Sequence, residues 1–216
     1  MAPWLIVAIA VVLAAACDGS GDADPFTGVA ELTGDVCGTQ LVASAVLVDQ
    51  QLLITASHNV AGAVAPLTIR FEDGSVHEPS IVGFDPVRDI AALRIDDQSR
   101  MSVALSDDVT PGGEILRLSD LERTAVSHED ATSLAITGAD IYGEPATAER
   151  SGIRAVADIA PGFSGGPLVN TDGEMIGMVF AESQRTGYVY GLATGEIETF
   201  LDGIETEAPI EPSECR

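Results

Sequence analysis

Runs of apolar or alternating residues, each cut short by a turn signal within about a dozen positions, constrain the fold of this chain more than any other feature. In the first half they are Leu41 to Val48, Gln51 to Thr55, Leu67 to Phe71, Ser75 to Phe84 and Ile90 to Ile95, punctuated by Asp49-Gln50, Glu72-Asp73-Gly74 and Asp96-Asp97. In the second they are Ile115 to Leu118, Leu134 to Ile141, Ile153 to Ile159, Met175 to Phe180 and Tyr188 to Leu192, with Asn170-Thr171-Asp172-Gly173 as a clear hairpin turn. Such spacing leaves no room for the crossover helices of a parallel sheet, so the pattern predicts an all-β barrel or sandwich. A short helix is expected only near the end, over Thr194 to Leu201, with Thr194 as N-cap and acids in the first turn. At 216 residues, 46% of them hydrophobic, the chain can bury one good core or two small barrels, without a second independent domain.

One turn stands apart from these runs. Pro161-Gly162-Phe163-Ser164-Gly165-Gly166-Pro167 sets a hydroxyl between glycines and leads straight into the apolar pair Leu168-Val169. A serine hydroxyl becomes a good nucleophile only when a base takes its proton, and the oxyanion formed on attack needs N–H donors already in place. Gly162, which tolerates unusual dihedrals, lets its own amide and that of Ser164 point at one spot. A base and a carboxylate lie upstream: His58 follows the apolar run Leu52 to Ala56, and Asp89 precedes Ile90 to Leu93. Residues 162 to 166 also satisfy G-x-S-x-G, but in α/β-hydrolases the histidine follows the serine, whereas His58, His77 and His128 all precede Ser164.

The segments Thr55-Ala56-Ser57-His58, Arg88-Asp89-Ile90-Ala91-Ala92-Leu93 and Gly162-Phe163-Ser164-Gly165-Gly166-Pro167 resemble the three signatures of trypsin-like (chymotrypsin-fold) serine proteases over about Cys37 to Leu201. The spacing of 31 residues from His58 to Asp89 and 75 from Asp89 to Ser164 is more like the bacterial HtrA branch and the membrane-anchored acid-resistance proteases of actinobacteria. The resemblance implies two six-stranded antiparallel Greek-key barrels, about 37–105 and 112–203, with His58 and Asp89 on the first and Ser164 on the second. It implies acyl transfer on a protein or peptide substrate by the catalytic residues His58, Asp89 and Ser164, with an oxyanion hole at Gly162 and Ser164 and neither metal nor cofactor. Asp158 resembles the residue at the base of trypsin's primary pocket, and Tyr190, Gly191 and Leu192 are expected to form the edge strand that pairs with substrate. Phe163 departs from the digestive enzymes, which carry an aspartate there; with no matching Ile-Val-Gly-Gly start, no zymogen cleavage of that kind is expected and Phe163 must find an apolar contact. No PDZ-like extension is expected to regulate the unit. A peptide-binding module with a collapsed oxyanion loop, and an esterase using the same three residues, are the alternative readings.

The ends of the chain speak to location. Ala2 to Ala16 is an apolar stretch of 15 residues, short of the roughly 20 that span a bilayer, and it closes on Ala14-Ala15-Ala16-Cys17. This reads as a signal peptide over 1–16, and the cysteine after it resembles a lipobox, with plain secretion and an uncleaved anchor as alternatives. Residues 17–36 then read as a tether lipidated at Cys17, 37–203 as the folded unit and 204–216 as an acidic tail. With Cys17 lipidated, Cys37 and Cys215 remain as a pair suited to an oxidising compartment, either bridged or as two unrelated thiols. The expected location is the bacterial cell envelope, outside the cytoplasm.

Charge excludes one class of partner. Thirty-four acidic residues face 10 basic ones, all arginine, for a formal charge of −24, and such a surface repels the phosphates of nucleic acid. The acids are scattered, which marks a solvated surface. His77 and His128, each set among Glu, Asp and Ser, are expected to be exposed.

Overall fold

A computed structural model of the chain describes residues 24–64, 66–145, 149–204, 208–211 and 215. The segment expected to be a signal peptide, Cys17 and the first part of the expected tether lie outside the described residues.

The first half forms β1 (Val29–Val36), β2 (Thr39–Asp49), β3 (Leu52–Thr55), β4 (Thr68–Phe71), β5 (Val76–His77), β6 (Ser80–Asp85) and β7 (Ile90–Arg94). These pair antiparallel in the order β5-β4-β1-β2-β3-β7-β6. The second half forms β8 (Glu114–Ser119), β9 (Glu122–Ser127), β10 (Glu129–Ile136), β11 (Arg150–Val156), β12 (Pro167–Val169), β13 (Met175–Ser183) and β14 (Tyr188–Ala193), in the order β10-β11-β14-β13-β12-β8-β9. Each unit is thus a seven-stranded antiparallel sheet, where six strands were expected.

The extra strands have physical reasons. β1 lies inside the segment read as a tether, so the folded unit already includes Val29–Val36 and does not wait for Cys37. Glu31 hides this strand in the sequence: it is 2% exposed, yet satisfied by Arg70 Nε at 2.9 Å and by the Asp120 N–H at 3.2 Å. β9 is an edge strand, paired only with β8, and shows no apolar face. Its turn uses Asp120 and Leu121 at φ 50° and 65°, a double left-handed pair that usually announces itself as Asn-Gly.

Two apolar clusters fill the sheets, around Leu47, Leu53 and Leu93 in the first and around Ile153, Leu168 and Val189 in the second. A third joins them: Val46, Ile54, Ile90 and Ala92 meet Met178, Leu192, Ile197 and Phe200. The last two belong to α1 (Thr194–Asp202), the expected terminal helix. Its N-cap is Ala193 and not Thr194, whose hydroxyl instead donates to Asp107 Oδ1 at 2.8 Å. Past the helix the Ile210 N–H donates to the Ile81 carbonyl on edge strand β6, and the Cys215 and Cys37 sulfurs are bonded at 2.06 Å.

Candidate active site

Three loops converge where the two sheets meet. The first leaves β3 and becomes a single 3-10 turn, Ser57–Asn59, which carries His58. The second joins β6 to β7 and ends at Asp89, held at φ 58°, a left-handed conformation that aspartate tolerates better than most residues. The third runs from β11 to β12 and carries Ser164.

His58 Nδ1 lies 2.8 Å from Asp89 Oδ2, and His58 Nε2 lies 2.9 Å from Ser164 Oγ. The other oxygen of Asp89 accepts from the Ser57 hydroxyl and from the backbone N–H of His58, both at 3.0 Å. The carboxylate is 8% exposed against 37% for the imidazole, so the ring opens to solvent while its partner is enclosed. Three donors on a buried carboxylate hold it in one position. With Asp89 beside Nδ1, a neutral imidazole carries its proton there and offers Nε2 to the serine as an acceptor.

The loop beneath Ser164 is tied at nearly every peptide. Gly165 N–H donates to the Val179 carbonyl at 2.8 Å, Val179 N–H to Gly166 at 2.9 Å, and Gly166 N–H to Phe163 at 2.9 Å. Ser44 supports it from β2: its N–H donates to the Ser164 carbonyl at 2.9 Å and its hydroxyl to the Gly162 carbonyl at 2.7 Å. A side chain at Gly165, where φ is 84°, would collide with the Ser44 carbonyl and the Thr55 hydroxyl, so glycine is required there by conformation and by space. Arg117 of β8 donates to the Pro161 carbonyl at 2.8 Å and lies 5.0 Å above the ring of Phe163, which is 2% exposed. The apolar contact expected for Phe163 is therefore the core of the second sheet, with a guanidinium over it.

A concavity of about 330 Å³ opens beside Ser164, lined by Ile159 to Gly162 on one side and Val179 to Glu182 on the other. The expected specificity residues are not there. Asp158 is exposed and outside that lining. Tyr190, Gly191 and Leu192 sit in β14, which pairs with β11 on one side and β13 on the other, so its backbone groups are already spent. The strand that borders the concavity is β13, whose pairing with β12 stops at Met178. His128 is also unlike its expectation. It is fully buried at the junction of β9 and β10, its Nε2 3.0 Å from the Val169 carbonyl, while its polar neighbours Ser127 and Glu129 are exposed. His77 is half-buried, edge-on to Phe71. Among the described residues no group of three or more His, Cys, Asp or Glu could hold a metal ion.

The model of the trypsin-like peptidase domain matches residues 43–178, which contain all three converging loops. The chain belongs to the trypsin-like peptidases. Its relatives include HtrA-family serine proteases. It is 26% identical over 186 residues to the serine protease Rv3671c of Mycobacterium tuberculosis, covering 83% of this chain and 46% of the relative. With the Do-like serine protease HtrA of Bacillus subtilis it shares 31% over 174 residues, 74% of this chain and 37% of the relative. A probable periplasmic serine endoprotease of Pseudomonas fulva is 29% identical over 143 residues, 65% of this chain and 29% of the relative. The chain thus spans less than half the length of these relatives. The crystal structure of the active form of Rv3671c superposes with a TM-score of 0.78 at 24% identity, covering 88% of this chain and 86% of that one, a likeness of fold.

Proposed function

We propose that this chain is a serine endopeptidase that cuts peptide bonds of proteins outside the cytoplasm through an acyl-enzyme. The observation that carries the reading is the unbroken line from Asp89 Oδ2 through His58 to Ser164 Oγ, at 2.8 and 2.9 Å, within the family's own domain. Ser164 attacks the scissile carbonyl, His58 accepts its proton and returns it to the leaving amine, and Asp89 holds the imidazole tautomer and offsets its charge. The N–H groups of Gly162 and Ser164 receive the oxyanion; the tied loop holds them in place before the reaction, which is what makes such donors effective. Substrate backbone pairs with β13 at Phe180 to Glu182, beyond the end of β12.

The rest of the setting is part of the same proposal. The short apolar stretch before Cys17 would export the chain and leave it lipid-anchored in the cell envelope, and a Cys37–Cys215 disulfide fits an oxidising compartment. The periplasmic description of one relative supports a site of action outside the cytoplasm.

A fluorophosphonate probe tests the chemistry: it labels the wild type and not Ser164→Ala. Casein set against a p-nitrophenyl ester then separates peptidase from esterase. Well-folded wild type that takes no label would leave the peptide-binding module as the better reading.

A further inference from the structure

Asn59, immediately after His58, is 2% exposed and reaches the nucleophile directly. Its Nδ2 lies 3.2 Å from Ser164 Oγ, 3.2 Å from the Ser164 carbonyl and 3.0 Å from the Thr55 hydroxyl. Chemistry decides which end of the amide faces these atoms. The Ser164 carbonyl can only accept, and the Thr55 hydroxyl gives its proton to the Ser44 carbonyl at 2.8 Å, so both call for a donor. An amide turned the other way would set its oxygen against two oxygens that have no hydrogen to offer. The NH2 end therefore faces Ser164 Oγ. Since Oγ accepts there, its own proton is directed to the remaining partner, His58 Nε2 at 2.9 Å.

We infer that Asn59 is a further catalytic residue, a hydrogen-bond donor to Ser164 Oγ that aims the serine proton at His58 and stabilises the charge left behind. The inference rests on the peptidase reading above. In the step concerned, the Ser164 O–H bond breaks and its proton goes to Nε2. An Oγ electron pair forms the new bond to the scissile carbon, and the carbonyl π pair moves onto the carbonyl oxygen. Asn59 neither gains nor loses a proton. Its two N–H groups serve three acceptors in the resting state, and the share directed at Oγ grows as Oγ becomes the most negative of them. The contact is thus stronger in the transition state than in the ground state, which is the condition for it to accelerate the reaction. Position is fixed in advance by the 3-10 turn, where the Asn59 N–H donates to the Ala56 carbonyl at 3.0 Å.

The test is the rate of fluorophosphonate labelling of Asn59→Ala and of the near-isosteric Asn59→Asp, in the full chain, with kcat and KM on a peptide substrate. The labelling end point counts folded sites, so the rate constant per labelled site is independent of any loss of fold. A donor to a developing charge predicts a fall of about 10- to 100-fold in that rate constant and in kcat, with KM unchanged. Aspartate, which replaces donors by acceptors, falls at least as far as alanine. A merely structural role would lower the end point and leave the rate per site alone. Wild-type rates per site in either folded variant overturn the inference while leaving the peptidase reading intact. A wild type that takes no label overturns both.

Discussion

Arg117 grips the carbonyl of Pro161, with 2.8 Å between Nη1 and the oxygen, and in doing so fixes the peptide that carries the Gly162 N–H. A trans peptide is planar, so holding the carbonyl on the Arg117 side turns the N–H to the opposite side. The guanidinium also covers Phe163, which stands where digestive relatives have an aspartate. Replacing Arg117 by Met keeps the apolar stem and removes the donor. If this grip keeps the oxyanion donor aimed, kcat falls by about 10- to 100-fold, and affinity for a peptide aldehyde falls in parallel while the melting temperature hardly moves. Unchanged kcat in Arg117→Met would mean that the loop holds its shape without the arginine.

The two oxygens of Asp89 have different duties, and Asp89→Asn tests the division. Oδ1 takes the Ser57 hydroxyl and the His58 N–H, so an asparagine must keep its oxygen there. Its NH2 then faces His58 Nδ1 and drives the imidazole to the tautomer with hydrogen on Nε2, which cannot accept from Ser164. A loss of about 10⁴-fold in kcat is expected, with the fold intact by circular dichroism. A loss under about tenfold would show that the tautomer is not under Asp89's control.

The three signature segments were legible because their chemistry demands particular residue types, and the strands around them because they alternate or run apolar against a core. What escaped the sequence was set by partners distant in the chain. Asn59 reads as an ordinary polar residue until Ser164 is folded against it, and Ser44 as an ordinary strand residue until its hydroxyl meets Gly162. Glu31 reads as a solvated acid until its countercharge, Arg70 on another strand, is folded against it. Tyr190 reads as an edge residue in chain order, but strand order across a sheet does not follow chain order: β11 covers that side. Asp158 resembles the pocket residue in sequence, but the loop that follows it turns Ile159 to Gly162 toward the concavity instead.

The loop that presents Asp89 is docked onto the second sheet, and Glu196 is the acid that holds it. Arg88 Nε donates to Glu196 Oε2 at 2.8 Å, and the Ser151 N–H to Oε1 at 2.9 Å. Burial works to raise this carboxyl, but the bonds from Arg88 and Ser151 outweigh it and hold the group below the usual carboxylate value of 4.5. A depressed folded-state pKa contributes stability that is complete above that value and disappears as pH falls through the depressed one. Glu196→Gln should therefore narrow the difference in melting temperature between neutral and strongly acidic solution. An identical acid profile in the two proteins would assign the pH sensitivity elsewhere.

The bond between Cys37 and Cys215 passes directly over Gly62, and that crowding makes a test that plain reduction does not. Reducing a bridge that closes 178 residues removes about 5 kcal/mol of chain-entropy stabilisation, whatever surrounds it. At Gly62, φ is 71° and an added Cβ would overlap both sulfurs, while the Gly62 carbonyl accepts from the Cys37 N–H at 3.1 Å. Gly62→Ala therefore meets two penalties with the bridge present. One is the left-handed backbone, about 1–2 kcal/mol; the other is the collision with the two sulfurs and the Cys215 nitrogen that the bridge holds against Gly62. In a chain with both cysteines changed to serine the second penalty lapses, since unbonded side chains can swing aside. Chemical denaturation of all four proteins should show Gly62→Ala costing more in the bridged background than in the serine one. Equal costs in both would mean that the bridge does not bear on Gly62.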